Sequence, residues 1–245
     1  MKCTWIGHAT CYLQLTSNGR AVLTDPVFSS RCSPIQWVGP ERFVPPACAI
    51  ADLPRVDAVV ISHDHYDHLD TDSIVELEKI HRPHFVCGLG LAQYFRGVLP
   101  SDAHSRIVEL DWWQEIDLFP DDKEGPLKVR FVPVQHWSKR WLWGDELKSL
   151  WGGYYITGPA EVGERFFFNG DTGYSQPLYA ELGRRCGPVD LAAIPIGAYA
   201  PREIMAPQHV DPEEALKIHR DIKSRHRYSQ LSQRCFFFPR IIEHS

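Results

Sequence analysis

The sequence predicts a single α/β domain whose helices pack outside its strands. Three observations point there. Strand-like and helix-like segments alternate from Asp57 onward, the first quarter reads as strands, and no linker or fixed-period repeat divides the 245 residues. A chain this long buries roughly 70–75% of its unfolded surface and needs no disulfide staples. Apolar residues at 44% and charged residues at 23% exclude disordered, collagenous and coiled-coil classes. The longest apolar runs, such as Ala58 to Ile61 and Leu191 to Ile196, fall short of the ~20 residues of a membrane span. Met1-Lys2-Cys3-Thr4 leads into a strand, so no secretory signal is expected. The 26 Lys and Arg are scattered within a net charge of −5, which argues against a nucleic-acid partner. Seven cysteines, none in C-x-x-C spacing, argue against a thiolate zinc site and for a reducing intracellular compartment. They are expected mainly as small core residues.

Thr4-Trp5-Ile6 and Cys11 to Leu15 read as strands around the small-residue break Gly7-His8-Ala9-Thr10. Asn18-Gly19 predicts a hairpin turn, with Ala21-Val22-Leu23 pairing back. The Pro-rich stretch from Pro26 to Pro54 is too long for a passive connection, so a lid or rim is expected. Asp57 to Ser62 reads as a buried strand, and Thr71 to Ile80 as a helix with Ile74, Leu77 and Ile80 on one side. Phe85-Val86, a helix near Leu91 to Val98, and Arg106 to Leu110 follow. Leu127, Val129 and Phe131 alternate with Lys128 and Arg130, the period of a half-buried strand. Tyr154 to Thr157 and Arg165 to Phe168 predict a hairpin pair, and Val189 to Ile196 a fully buried strand. Asp211-Pro212-Glu213-Glu214 is a helix start, with the helix running to about Ser224.

The densest chemical signal is His63-Asp64-His65-Tyr66-Asp67-His68, directly after a buried strand. His63, His65, Asp67 and His68 cannot all face one ion from a tight loop. Two adjacent ions resolve this, with His63 and His65 on one and Asp67 and His68 on the other. Imidazole and carboxylate donors suit zinc, and iron or manganese accept similar sets. Further ligands are expected at strand ends: His136 after Leu127 to Val134, and Asp171 after Gly170, whose missing side chain permits close backbone approach. Such a pair of ions polarises an acyl or phosphoryl oxygen and brings water's pKa toward ~7, so hydrolysis by metal-bound hydroxide is the expected reaction class.

The pattern His63-x-His65-x-Asp67-His68, with His136 and Asp171 downstream, resembles the metallo-β-lactamase superfamily. More closely, several strings resemble its N-acyl-phosphatidylethanolamine-hydrolysing phospholipase D subgroup. These are Thr24-Asp25-Pro26, Gln36 to Pro40, Ile61 to Asp70, Glu109 to Trp113, Gln135-His136-Trp137, Phe166 to Tyr174, Ala193 to Tyr199 and Gln208 to Ala215. The resemblance runs from about Cys3 to Arg227. It implies an αββα sandwich of two mixed sheets with outer helices, two zinc ions, and phosphodiester cleavage that releases N-acylethanolamine and phosphatidic acid. By the same pattern His63, His65 and His136 hold the first zinc, and Asp67 and His68 the second, with Asp171 bridging. His8 and Asp25 then lie just behind, orienting imidazoles. Asp67, Tyr66 and His209 form the expected catalytic set, Tyr66 and His209 on the substrate side. The resemblance also implies a membrane phospholipid substrate, a peripheral membrane location and a homodimer. Six of the eight tryptophans lie between Asp111 and Trp151, beside Lys139, Arg140 and Lys148. That composition suits a bilayer interface or a packed aromatic core.

The chain departs from the subgroup at its end. The subgroup's seventh ligand is a histidine in a final-strand Ile-His-Trp-Gly-Thr-Phe string, and no His-Trp-Gly occurs here; Leu231 stands at the corresponding position. From about Tyr228 the likeness stops, giving a hydrolase domain over 1–227 and a divergent tail over 228–245. An exon or reading-frame change near codon 228 is expected, and an unbroken constitutive exon there would exclude it. The closing strand is expected to be missing, leaving the sheet beside Val189 to Ile196 with an unpaired edge. The second ion would keep Asp67, His68 and Asp171 but lose the imidazole of that seventh ligand, with His226 or His244 as substitutes. Two alternatives stand beside the lipid hydrolase. One is another dinuclear phosphodiesterase or lactonase on this fold; the other is a catalytically impaired isoform.

Overall fold

The computed structural model describes residues 1–123, 125–141, 143–159 and 163–230, the side chains of 227–230 excepted. Two six-stranded sheets face each other. The first contains β1 (Lys2–Gly7), β2 (Thr10–Gln14), β3 (Ala21–Thr24), β4 (Ala58–Ile61), β5 (His84–Gly88) and β6 (Ile107–Leu110), in that spatial order. Its first three strands are antiparallel and the rest run parallel. The second contains β7 (Glu115–Leu118), β8 (Leu127–Val132), β9 (Gly153–Thr157), β10 (Arg165–Phe168), β11 (Val189–Pro195) and β12 (Ser224–Gln230). It is antiparallel from β7 to β10 and parallel from β10 to β12. The helices α1 (Thr71–His81), α2 (Ala92–Val98), α3 (Gln176–Arg185), α4 (Arg202–Met205) and α5 (Pro212–Asp221) connect these strands.

The two-residue period of the strands builds the layers. In β4, Val59 and Ile61 pack with Ile74, Leu77 and Phe95 of α1 and α2, while Ala58 and Val60 face the other sheet. In β10, Phe166 and Phe168 fill the space between the sheets, and Phe167 joins Tyr179, Leu182, Ile218 and Ile222 beneath α3 and α5. Three apolar layers separate four structural layers, which is the expected αββα sandwich. Cys11 and Cys87 sit inside these cores, and Cys3, Cys48 and Cys186 pack at their margins.

The 211–224 helix expectation needs shortening: α5 ends at Asp221, Lys223 turns the chain at φ 57°, and Ser224 already pairs with Val189. Its start is as expected, since Asp211 accepts from Glu214 N at 2.8 Å and Glu214 accepts from Asp211 N at 3.2 Å. The expectation of a missing closing strand is overturned. Residues Ser224–Gln230 form β12, parallel to β11, because backbone pairing does not depend on the side-chain string that is absent. The β11 edge is therefore covered. Leu231 and His244 lie outside the described residues. Sequence periodicity also passed over α3 and the short edge strand β7.

Glu164 ties the sheets together. Its carboxylate accepts from Thr16 Oγ1 at 2.6 Å and Ser17 N at 2.9 Å, joining the β2–β3 turn to the β9–β10 connection. Burial raises its pKa, but these donors and the Met1 amine outweigh burial and hold it at about 2, against an ordinary 4.5. Because the folded-state pKa is depressed, this contribution is present above pH 4.5 and is lost as pH falls toward about 2. Glu164→Gln should therefore cost about 1–3 kcal/mol in urea unfolding at pH 7. The gap to wild type should narrow as the pH is lowered through that window.

Candidate metal centre

Three strand ends converge on the site. The loop after β4 carries His63, His65, Asp67 and His68; its turn is closed by His68 N and Leu69 N donating to the His65 carbonyl at 3.0 and 2.9 Å. The segment after β8 carries His136, and the segment after β10 carries Asp171. Gly173 N donates to the Gln135 carbonyl at 2.8 Å and Gln135 N to Thr172 Oγ1 at 3.0 Å, which pins the last two segments together. Gly170 permits the approach: its φ is +65°, and a Cβ there would lie 2.7 Å from Ser62 Cβ.

His63, His65 and His136 form one group, with a ligand atom from each within 4.8 Å of the others. Ser62 Oγ engages His63 Nδ1 at 2.9 Å, which turns His63 Nε2 toward His65 Nδ1, also at 2.9 Å. Asp67 and His68 form a second group, which also contains His8. Asp171 Oδ2 lies 3.2 Å from His68 Nε2 and 3.7 Å from His209 Nδ1. Asp25 is fully buried behind His68: its Oδ2 meets His68 Nδ1 at 2.6 Å, and its Oδ1 accepts from Ser62 N at 2.7 Å. The position expected of Asp25 therefore holds, whereas His8 sits among the potential ligands.

The residues fit a divalent metal on two counts. His65 Nε2 and both His136 ring nitrogens are buried without a hydrogen-bond partner, an arrangement that costs free energy unless something binds there. Asp25, which is buried, and Asp67 and Asp171, which are half-buried, have only histidines as ion-pair partners among the described residues. Burial raises the Asp67 and Asp171 pKa values, but the adjacent His68 outweighs it and holds both below the usual carboxylate range. Burial lowers His136 to about 3 and pushes His63 down as well, so both imidazoles are neutral donors at pH 7.

A cleft of about 410 Å³ opens beside the site, lined by His65, Tyr66, Asp67, Trp137, Lys139, Arg140, Trp141 and Cys32. Cys32 comes from the Pro-rich 26–54 segment, which is therefore part of the rim. Tyr66 lines this cleft; His209 stands on the Asp171 side, its ring 5.4 Å from that of His136. His226, a proposed substitute ligand, pairs with Leu191 and lines a different cleft with Glu164 and Asp190, away from both groups.

Arg140 is the residue whose role the sequence concealed. It is buried, donates to the carbonyls of Asp64 and Leu69 at 3.0 and 2.8 Å, and lies over the rings of Tyr66 and Tyr94 at 4.3 and 4.6 Å. Asp64, the acid of the cluster that lies outside the candidate metal groups, accepts from Lys139 N and Ser149 Oγ. The tryptophans divide. Trp112, Trp137 and Trp151 are hydrogen-bonded through Nε1, whereas Trp141 and Trp143 are 59% and 89% exposed.

Residues 20–229 match the β-lactamase superfamily domain. The chain belongs to that superfamily. Among its relatives, a Mycobacterium tuberculosis protein of uncharacterised function is 43% identical over 220 residues, 89% of this chain and 54% of that protein. The Caenorhabditis elegans N-acyl-phosphatidylethanolamine-hydrolyzing phospholipase D 1 is 36% identical over 224 residues, 91% of this chain and 61% of that protein. The chain thus spans a little over half the length of these superfamily members. Igni18, a metallo hydrolase from the archaeon Ignicoccus hospitalis, has a TM-score of 0.62 at 18% identity over 91% of this chain and 78% of its own, a likeness of fold. Among the described residues no helix is long and apolar enough to cross a membrane.

Proposed function

We propose that this chain is a zinc-dependent phosphodiester hydrolase acting on a membrane phospholipid, releasing N-acylethanolamine and phosphatidic acid from N-acyl-phosphatidylethanolamine. One observation carries the reading: the cleft that reaches the His65 and Asp67 side chains is bordered by a cation, Lys139, and by aromatic rings, Trp137, Trp141 and Tyr66. A phosphate with apolar tails matches that mixture. The relative named for this reaction supports the same choice. Three imidazoles with adjacent carboxylates suit zinc.

When bound, a pair of zinc ions polarises the phosphoryl oxygen and acidifies water. The chain's own groups do the rest. Lys139 meets the phosphate charge. Burial raises the Tyr66 pKa, so its hydroxyl remains a proton donor at pH 7 and orients the head group. The oxygen of water joins phosphorus as one of its protons passes to His209, the bond from phosphorus to the ethanolamide oxygen breaks, and His209 is the group we assign to return that proton to the leaving oxygen. Both rim segments also expose apolar side chains, Trp37 and Val38 on one and Trp143 and Leu147 on the other, which suits contact with a bilayer surface.

The test is hydrolysis of phosphatidylcholine vesicles containing N-acyl-phosphatidylethanolamine, with products read by mass spectrometry. Paired release of N-acylethanolamine and phosphatidic acid is expected, and no product from a zinc-replete protein would overturn the reading. Trp37→Ser with Trp143→Ser, both exposed and outside the cleft lining, should weaken vesicle sedimentation several-fold while leaving hydrolysis of a dispersed short-chain analogue unchanged.

A further inference from the structure

We propose that His8 is a metal ligand, supplying an imidazole nitrogen to the second metal position beside Asp67, His68 and Asp171. The inference rests on the dinuclear reading above and deepens it. His68 spends Nδ1 on Asp25 at 2.6 Å, which leaves Nε2 for the site. Around that position His8 Nε2 lies 3.2 Å from Asp67 Oδ2, and His68 Nε2 lies 3.7 Å from Asp67 Oδ2 and 3.2 Å from Asp171 Oδ2. A tetrahedral site with bonds of about 2.0–2.2 Å sets its donor atoms roughly 3.3–3.6 Å apart. The observed separations bracket that spacing.

The backbone gives an independent indication. His8 occupies φ +48°, in the left-handed region that few residues other than glycine adopt, directly after a register shift between Trp5 and Gly7 in the β1–β2 pairing. Its carbonyl is held by Trp5 Nε1 at 2.8 Å. A strained residue at a site is maintained where its side chain has a task. Here the irregularity delivers the ring to Asp67 and His68, with the His8 and His68 ring centroids 5.2 Å apart. The two positions are then chemically similar: three imidazoles on one side, two imidazoles and two carboxylates on the other.

The experiment compares wild type with His8→Asn. Asparagine tolerates the φ at position 8 and keeps a donor for Asp67, but it is a poor zinc ligand, so the variant separates ligation from hydrogen bonding. Zinc content after dialysis should fall from two equivalents to one, and chelator competition should show the second ion held at least about 10-fold more weakly. A folded variant that keeps two equivalents with unchanged competition overturns the proposal, as does one that loses both. Wild type holding fewer than two equivalents overturns the dinuclear reading, and His8's role with it. If the variant does not fold, a crystal structure of zinc-loaded wild type decides. His8 Nε2 at about 2.0–2.1 Å from zinc is the expected result, and Nε2 bonded only to Asp67 is the contrary one.

Discussion

Replacing His63 with alanine should release metal and reduce hydrolysis by more than the roughly 10–100-fold that follows loss of a group behind a ligand. His63 stands where the two groups meet. It shares a group with His65 and His136, and its ring lies 4.2 Å from that of His68 between centroids. Its removal deletes a donor, frees Ser62 Oγ from Nδ1, and opens a void between the imidazoles of both groups. Elemental analysis of the dialysed variant should show at most one equivalent of zinc. Chelator treatment of wild type should reproduce the loss of activity, reversibly on zinc addition. A variant with full metal content and wild-type rate would remove His63 from the site.

Arg140→Met should produce the largest loss of stability near the centre. The guanidinium satisfies two buried carbonyls, of Asp64 and Leu69, and also donates to Tyr94 Oη at 2.9 Å. Methionine restores volume but leaves those acceptors unpaired, at about 1–3 kcal/mol each where no water replaces the donor. A total of roughly 2–5 kcal/mol corresponds to a fall in Tm of about 5–15 °C for a chain of this size. Those two carbonyls bracket the loop carrying His65, Asp67 and His68, so metal affinity should fall with stability. Thermal unfolding of the apo and zinc-loaded variant reads both. An unchanged Tm would show that the loop holds its shape without the arginine.

Much of this was visible in the sequence where the relevant physics is local. The alternation in Leu127 to Phe131, the Asp211 cap and the His63 to His68 cluster each carry their own signal within a few residues. The signals fade where partners are distant. Arg140 reads as one more cation in a Trp-rich stretch, because its acceptors lie 71 and 76 positions away. By local pattern His8 reads as part of a small-residue break and the resemblance sets it behind the ligands; the irregular β1–β2 turn brings it to Asp67. β12 was missed because its side-chain pattern carries no strand signature, whereas its pairing with β11 is a matter of backbone.

The sequence by itself placed the helices outside the strands and candidate donors at the strand ends, since periodicity and donor chemistry are properties of short segments; the αββα layer order came with the family resemblance. Only the tertiary structure decided that His8 joins the Asp67 and His68 group, what covers the β11 edge, and which tryptophans reach solvent. Those depend on how close segments far apart in the chain come to one another, and that separation is set by packing across two sheets.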